Sequence, residues 1–186
     1  MKSTRFVFGR ALAVLCALLF VSFGFMSCQQ EDDDNGLPNG VYELSENSAL
    51  IGTWVNSYSG GTSVYKITSS TFDNSGTSSY NGTTSTYDSY AGNNLVVSYI
   101  NDEKKSGYIY IKYTRAMNPD YSYSETAPDV GKWYAIAFRD LTDSSLSLSG
   151  AYKKSGKSST ETLEEAISTF TIDNGYFDYY SECVKQ

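Results

Sequence analysis

The sequence predicts an all-β protein, an antiparallel sheet wound up and down into a barrel, with one amphipathic helix near the C-terminus. Three observations carry this. From residue 48 onward, short runs rich in Tyr, Val, Ile and Thr alternate with clusters of Gly, Asn and Ser, the rhythm of strands and turns. Several of these runs alternate residue by residue, so that one face of each is apolar. A single stretch late in the chain changes to the helical period.

Taken in order, Leu50 to Ser57 reads as a first strand, stopped by Ser59-Gly60-Gly61. Ser63 to Thr68 reads as a second, and Thr71-Phe72 opens a short third. Asn81-Gly82 marks a turn between Ser/Thr-rich stretches of weak apolar character. Leu95 to Ile100 is strongly strand-like, and Asp102 to Gly107 turns the chain back. Gly107 to Arg115 places Tyr108, Tyr110 and Lys112 on one face and Ile109, Ile111 and Tyr113 on the other. Lys132 to Arg139 sets Tyr134, Ile136 and Phe138 against Trp133, Ala135 and Ala137, and Ser145 to Tyr152 sets Leu146 and Leu148 against serines. The small residues at 135 and 137 either leave room behind the sheet or relieve crowding in a filled core.

Leu163, Ala166, Ile167 and Phe170 fall at i, i+3, i+4 and i+7, a helical stripe. Thr162 with Glu165 forms a capping-box pattern at its start, and Asn174-Gly175 reads as its stop. Tyr176 to Tyr180 reads as a last strand or an extended tail. The longest connection, residues 116–130, carries Pro119, Pro128, Tyr121 and Tyr123, and is either a binding loop or a crossover packed on its own strands.

The N-terminus has a different character. Lys2, Arg5 and Arg10 precede an apolar run from Ala11 to Phe25, which is shorter than the ~20 residues that cross a bilayer. Met26-Ser27-Cys28 follows. This resembles the signal and lipobox of bacterial lipoproteins. The resemblance implies cleavage after residue 27, acylation of Cys28 and a lipid anchor in the cell envelope at the outer membrane, on its periplasmic or cell-surface face. Residues 28–47 then read as a lipidated acidic spacer, since Glu31 to Asp34 and the turn residues after them cannot form a core. The acidic run also resembles the export signal of surface lipoproteins of the Bacteroides group. Residues 48–186 form the barrel domain.

Leu50-Ile51-Gly52-Thr53-Trp54 resembles the Gly-x-Trp opening of lipocalin-like proteins. In that family the tryptophan closes the barrel floor under a late arginine, so the resemblance implies a barrel-closing set of Gly52, Trp54 and Arg139, with Arg115 as the competing arginine. The family's disulfide is absent, and the helix precedes a final strand. A different barrel or a sandwich therefore stays open.

Composition narrows the function. Loss of residues 1–27 would remove three basic residues and no acidic one, moving the formal charge from −7 to −10. Such a surface repels nucleic acid and anionic headgroups, so the membrane partner would be reached through acyl chains alone. The chain contains no histidine, which removes Ser-His and Cys-His catalysis and imidazole metal sites. No nucleotide-binding glycine loop appears, and no cofactor or metal is expected. Cys183 would be the only thiol left beside Cys28, and reads as a buried or idle one. A carboxylate-only glycosidase would need two of the loop acids Asp102, Glu103, Asp120, Asp129 and Asp140 across a cleft, and solvated loop acids are the simpler account. The expectation is a non-catalytic module holding a small hydrophobic ligand in the barrel. The alternative is a surface protein with a filled core, contacting a host or envelope protein. An interior void of about 300 Å³ or more separates the two.

Overall fold

The structure, a computed structural model, describes residues 36–186. Residues 1–27, read from the sequence as a signal, and Cys28 with the acidic run after it lie outside the described residues. Among the described residues, ten strands and one helix follow each other as β1 (Val41–Glu43), β2 (Gly52–Tyr58), β3 (Gly61–Ile67), β4 (Phe72–Tyr80), β5 (Thr83–Tyr99), β6 (Gly107–Met117), β7 (Tyr123–Ser124), β8 (Trp133–Arg139), β9 (Ser145–Gly150), α1 (Leu163–Thr169) and β10 (Ser181–Lys185). Eight of these close a barrel in chain order, β2-β3-β4-β5-β6-β8-β9-β10, and β10 pairs back onto β2. Every pairing is antiparallel. The fold is therefore the all-β, up-and-down barrel with a single helix that the sequence predicts.

The register fixes which side chains enter the barrel. Ile111 pairs with Tyr134, Ile109 with Ile136, Phe138 with Leu148, Leu146 with Cys183, and Trp54 with Lys185. Alternation from these pairs sends the apolar set of each strand inward. Trp54, Phe72, Ile109, Ile111, Ile136, Phe138, Leu146 and Leu148 are all fully buried there.

Residues 36–47 depart from the solvated spacer that the sequence reading assigns to them. Val41 to Glu43 pair with Ser98 to Val96 of β5, and Val41 and Leu44 are buried. The turn residues around them obscure a short apolar pattern, which becomes stable only against the free edge that β5 offers beyond the end of β4. That edge exists because β5 is long and irregular. Its first part pairs with β4, its last part with β1, and register shifts near Asp73 and Asn93 bend it between the two.

Strands β2 and β3 lie where the sequence places its first and second strands, but β4 and β5 run much further through the Ser/Thr-rich stretch. They are joined by Asn81-Gly82, both at positive φ (50° and 78°), the geometry of a tight hairpin turn. In the 116–130 connection, β7 folds back on Ala116 and Met117, leaving Tyr121 80% exposed at the tip.

Helix α1 begins with the N-cap half of the capping box, and the return bond falls one residue before the N-cap. The Thr162 hydroxyl accepts from the Glu165 amide at 3.2 Å, while the Glu165 carboxylate reaches back to the Glu161 amide. It ends sooner than the sequence suggests, at Thr169. The stop comes from the Asn174 side chain, which donates to the Ser168 and Thr169 carbonyls at 3.0 and 2.9 Å, satisfying orphan acceptors of the last turn. The final strand is residues 181–185 and not 176–180.

The helix packs on β8, where the outward-facing Ala135 and Ala137 are both fully buried. Their small size lets the 151–180 segment lie close to the wall. Phe177 meets Tyr108 on the outer face, while Phe170 meets Tyr134, an inward residue, with ring centres 6.0 Å apart. The segment thus touches rings that project from opposite faces of the same sheet.

Candidate functional site: barrel floor, interior and outer groove

At one end of the barrel the chain enters β2 and leaves β10. Here Gly52, Trp54 and the last strand form a closed floor. The Trp54 indole N–H donates to the Leu50 carbonyl at 2.8 Å, so the buried ring leaves no polar atom unpaired. The cation over this ring is Lys185, with Nζ 5.0 Å from the ring centre and donating to the Ala49 carbonyl at 3.1 Å. Arg139 does not take that place. It points outward at the end of β8, with its guanidinium 3.9 Å from the Tyr180 ring centre, and it pairs with Asp140. The competing Arg115 pairs with Asp73 at 3.0 Å and donates to the Ser89 carbonyl, which ties β6 to the bends of β4 and β5. Alternation explains the difference: Arg139 follows the inward Phe138 and so faces out, whereas Lys185 lies two residues beyond the inward Cys183. Gly52 fits the same picture. A side chain there would come within 2.5 Å of Lys185 Cε, and its φ of +147° favours glycine.

Above the floor the interior is occupied by its own side chains. Phe72 stacks on Tyr90, Tyr113 stacks on Tyr134 at 4.8 Å, and Tyr90 meets both edge-on. Burial pushes the hydroxyls of Tyr90, Tyr113 and Tyr134 well above the ordinary tyrosine value. Tyr134 donates to the Ala151 carbonyl at 3.1 Å. Cys183, also inside, is a free thiol whose pKa burial raises to about 12, so it stays protonated and inert.

The loop acids considered for a glycosidase divide between the two ends. Asp102, Glu103 and Asp140 lie on the turns beside the floor, which are joined by the Leu141 amide and the Lys105 carbonyl. Asp120 and Asp129 lie on the β6–β8 connection at the opposite end. The carboxyls of both are held below their usual value: Asp120 by the Ser122 hydroxyl and amide, Asp129 because bonds from Ser158, Ser159 and Lys132 outweigh its partial burial. A proton donor needs the opposite shift. Among the described residues no group of three or more His, Cys, Asp or Glu is placed to hold a metal ion.

The open space lies elsewhere. A groove of about 910 Å³ runs along the outside of the barrel wall. One side is the 36–46 segment, held by β1 on β5. The other is the start of α1, held where Trp133 and Thr160 exchange backbone hydrogen bonds of 2.8 and 2.9 Å. Leu44, Leu95, Val96, Leu163 and Trp133 supply an apolar floor, and Glu43, Glu46, Glu161 and Glu164 supply the rim. A second depression, about 520 Å³, lies across the closed end between the 45–49 segment and the turns at 103–105 and 141–143. Sequence reasoning missed the groove because its two sides come from a segment read as a spacer and a helix read only as one apolar stripe. No protein-family model matches the chain, and no curated protein or solved structure matches it either.

Proposed function

We propose that this chain is a lipid-anchored protein of the bacterial cell envelope, held at the outer membrane through acyl groups on Cys28. Its barrel acts as a non-catalytic recognition module that works from its outer wall. One observation carries the second half of this reading. Around Trp54, Phe72, Ile136 and Phe138 the barrel interior is taken up by fully buried, bulky side chains, while the groove with an apolar floor opens outside it. The filled interior favours contact with another protein over storage of a small molecule. The anchor rests on the Lys/Arg–apolar–Cys28 pattern, and two or more acyl chains suffice for stable attachment.

A small apolar or aromatic ligand inside the barrel is the second reading, and Tyr90 is the observation that favours it. Its ring keeps some exposure among Phe72, Tyr113 and Tyr134, and its hydroxyl has no hydrogen-bond partner among the described residues.

The anchor is tested by fractionating cells that produce Cys28→Ala. The variant is expected in the soluble fraction with unchanged circular dichroism. Retention in the membrane at the wild-type level would overturn the anchor.

A further inference from the structure

Four glutamates border the outer groove, and no lysine or arginine does. Glu161 is neutralised by Lys132 at 3.2 Å. Glu43, Glu46 and Glu164 make no ion pair and no side-chain hydrogen bond among the described residues. Two of them stand on the 36–46 side and one on the helix side. Unpaired carboxylates therefore rise from both walls above a floor of Leu44, Leu95, Val96, Leu163 and a half-buried Trp133. Such a groove repels acidic and phosphate-bearing ligands. It favours a group that is cationic at its edges and apolar at its centre. The exposed part of the indole adds an attractive face for a cation.

Resting on the reading that recognition occurs on the outer wall, we infer that this groove docks a basic peptide segment of a partner protein. An apolar side chain of that segment sits on the floor, and flanking lysines or arginines meet the glutamate rim. The apolar contact supplies affinity, and the unpaired carboxylates select the sign of charge.

The chain carries its own reporters. It has two tryptophans, Trp133 in the groove and Trp54 buried in the floor of the barrel. The detergent-solubilised full chain is titrated with three synthetic peptides: a leucine flanked by lysines, the same leucine flanked by glutamates, and a serine flanked by lysines. The lysine–leucine peptide is expected to shift Trp133 emission and to bind about tenfold tighter than either of the others, with an affinity that falls as salt rises. Glu43→Lys with Glu164→Lys is expected to lower that affinity about tenfold, while Asp88→Lys with Glu182→Lys, reversals outside the groove, leaves it unchanged. Equal loss in both double variants would show attraction to bulk charge and overturn the site. Equal binding of the glutamate-flanked peptide would overturn the charge selection while leaving outer-wall recognition intact. A silent Trp133, together with Trp54 quenching by a spin-labelled fatty acid, would overturn outer-wall recognition itself.

Discussion

The stretch of wall around Ile109 to Ile111 of β6 and Tyr134 to Phe138 of β8 is buried on both faces, but the two faces are covered in different ways. Inside, Ile109, Ile111, Ile136 and Phe138 are covered by the other strands of the same barrel, and the register leaves no choice of partner. Outside, Tyr110, Ala135 and Ala137 are just as buried, yet much of their cover comes from the segments flanking the barrel, 36–46 and 151–180. The eight strands pair without a break around the barrel. Cover by two separate segments leaves a seam, and the groove is that seam. The inner face therefore sets stability, and the outer face is where a partner has room to bind.

Attacking the floor should produce the largest change. Trp54→Ala removes the largest fully buried side chain and should cost about 3–5 kcal/mol in urea unfolding, if the variant folds at all. A cost near that of an exposed substitution would mean that the interior is not close-packed.

Alkali should act on the interior next. Tyr90, Tyr113, Tyr134 and Cys183 all hold their protons in the folded state beyond the pH at which the unfolded chain loses them, about 10 for tyrosine and about 9 for the thiol. In that range the unfolded chain binds fewer protons, so stability falls as pH rises. The urea midpoint should be level below about pH 9 and drop steadily from there toward pH 12. Cys183→Ala should remove the earliest part of that slope.

Lys185→Met tests the floor cation and should cost about 1 kcal/mol, by losing the bond to Ala49 and the attraction to the Trp54 ring. Arg139→Met should leave Trp54 emission unchanged, because that guanidinium lies over Tyr180. Glu43→Lys with Glu164→Lys should have a small effect on folding, within about 1 kcal/mol, since both carboxylates are exposed and unpaired and the main loss is the acid at the first turn of α1. Comparison with Trp54→Ala then separates the face that holds the fold from the face that is free to change.

The inward strands were the legible part of this protein. In β6, β8 and β9 every second residue is large and apolar, so their faces could be read directly from the sequence. The limits of β4 and β5 were not legible, because their outer halves are Ser/Thr-rich and held by hairpin pairing without an apolar stripe. Nor was β1, where Val41 and Leu44 stand in a background of Gly, Pro and Asn that reads as a spacer. Trp54 was found from its Gly-x-Trp context, but its cation was sought among arginines. The signal for Lys185 is the alternation of Cys183 and Lys185 within the five-residue β10, which lies just beyond the 176–180 stretch that the sequence suggests for the last strand. The groove could not be read from any one segment, since its two walls lie about 120 residues apart in the chain and meet only through the pairing of β1 with β5 and of Trp133 with Thr160.

The most direct test of a filled barrel with its binding surface outside uses Trp54 as the sole indole. In Trp133→Phe, Trp54 emission is followed while a fatty acid carrying a nitroxide on its chain is added. A filled barrel predicts blue-shifted emission with no saturable quenching. Quenching that saturates at one fatty acid per chain would place a ligand inside the barrel and contradict it.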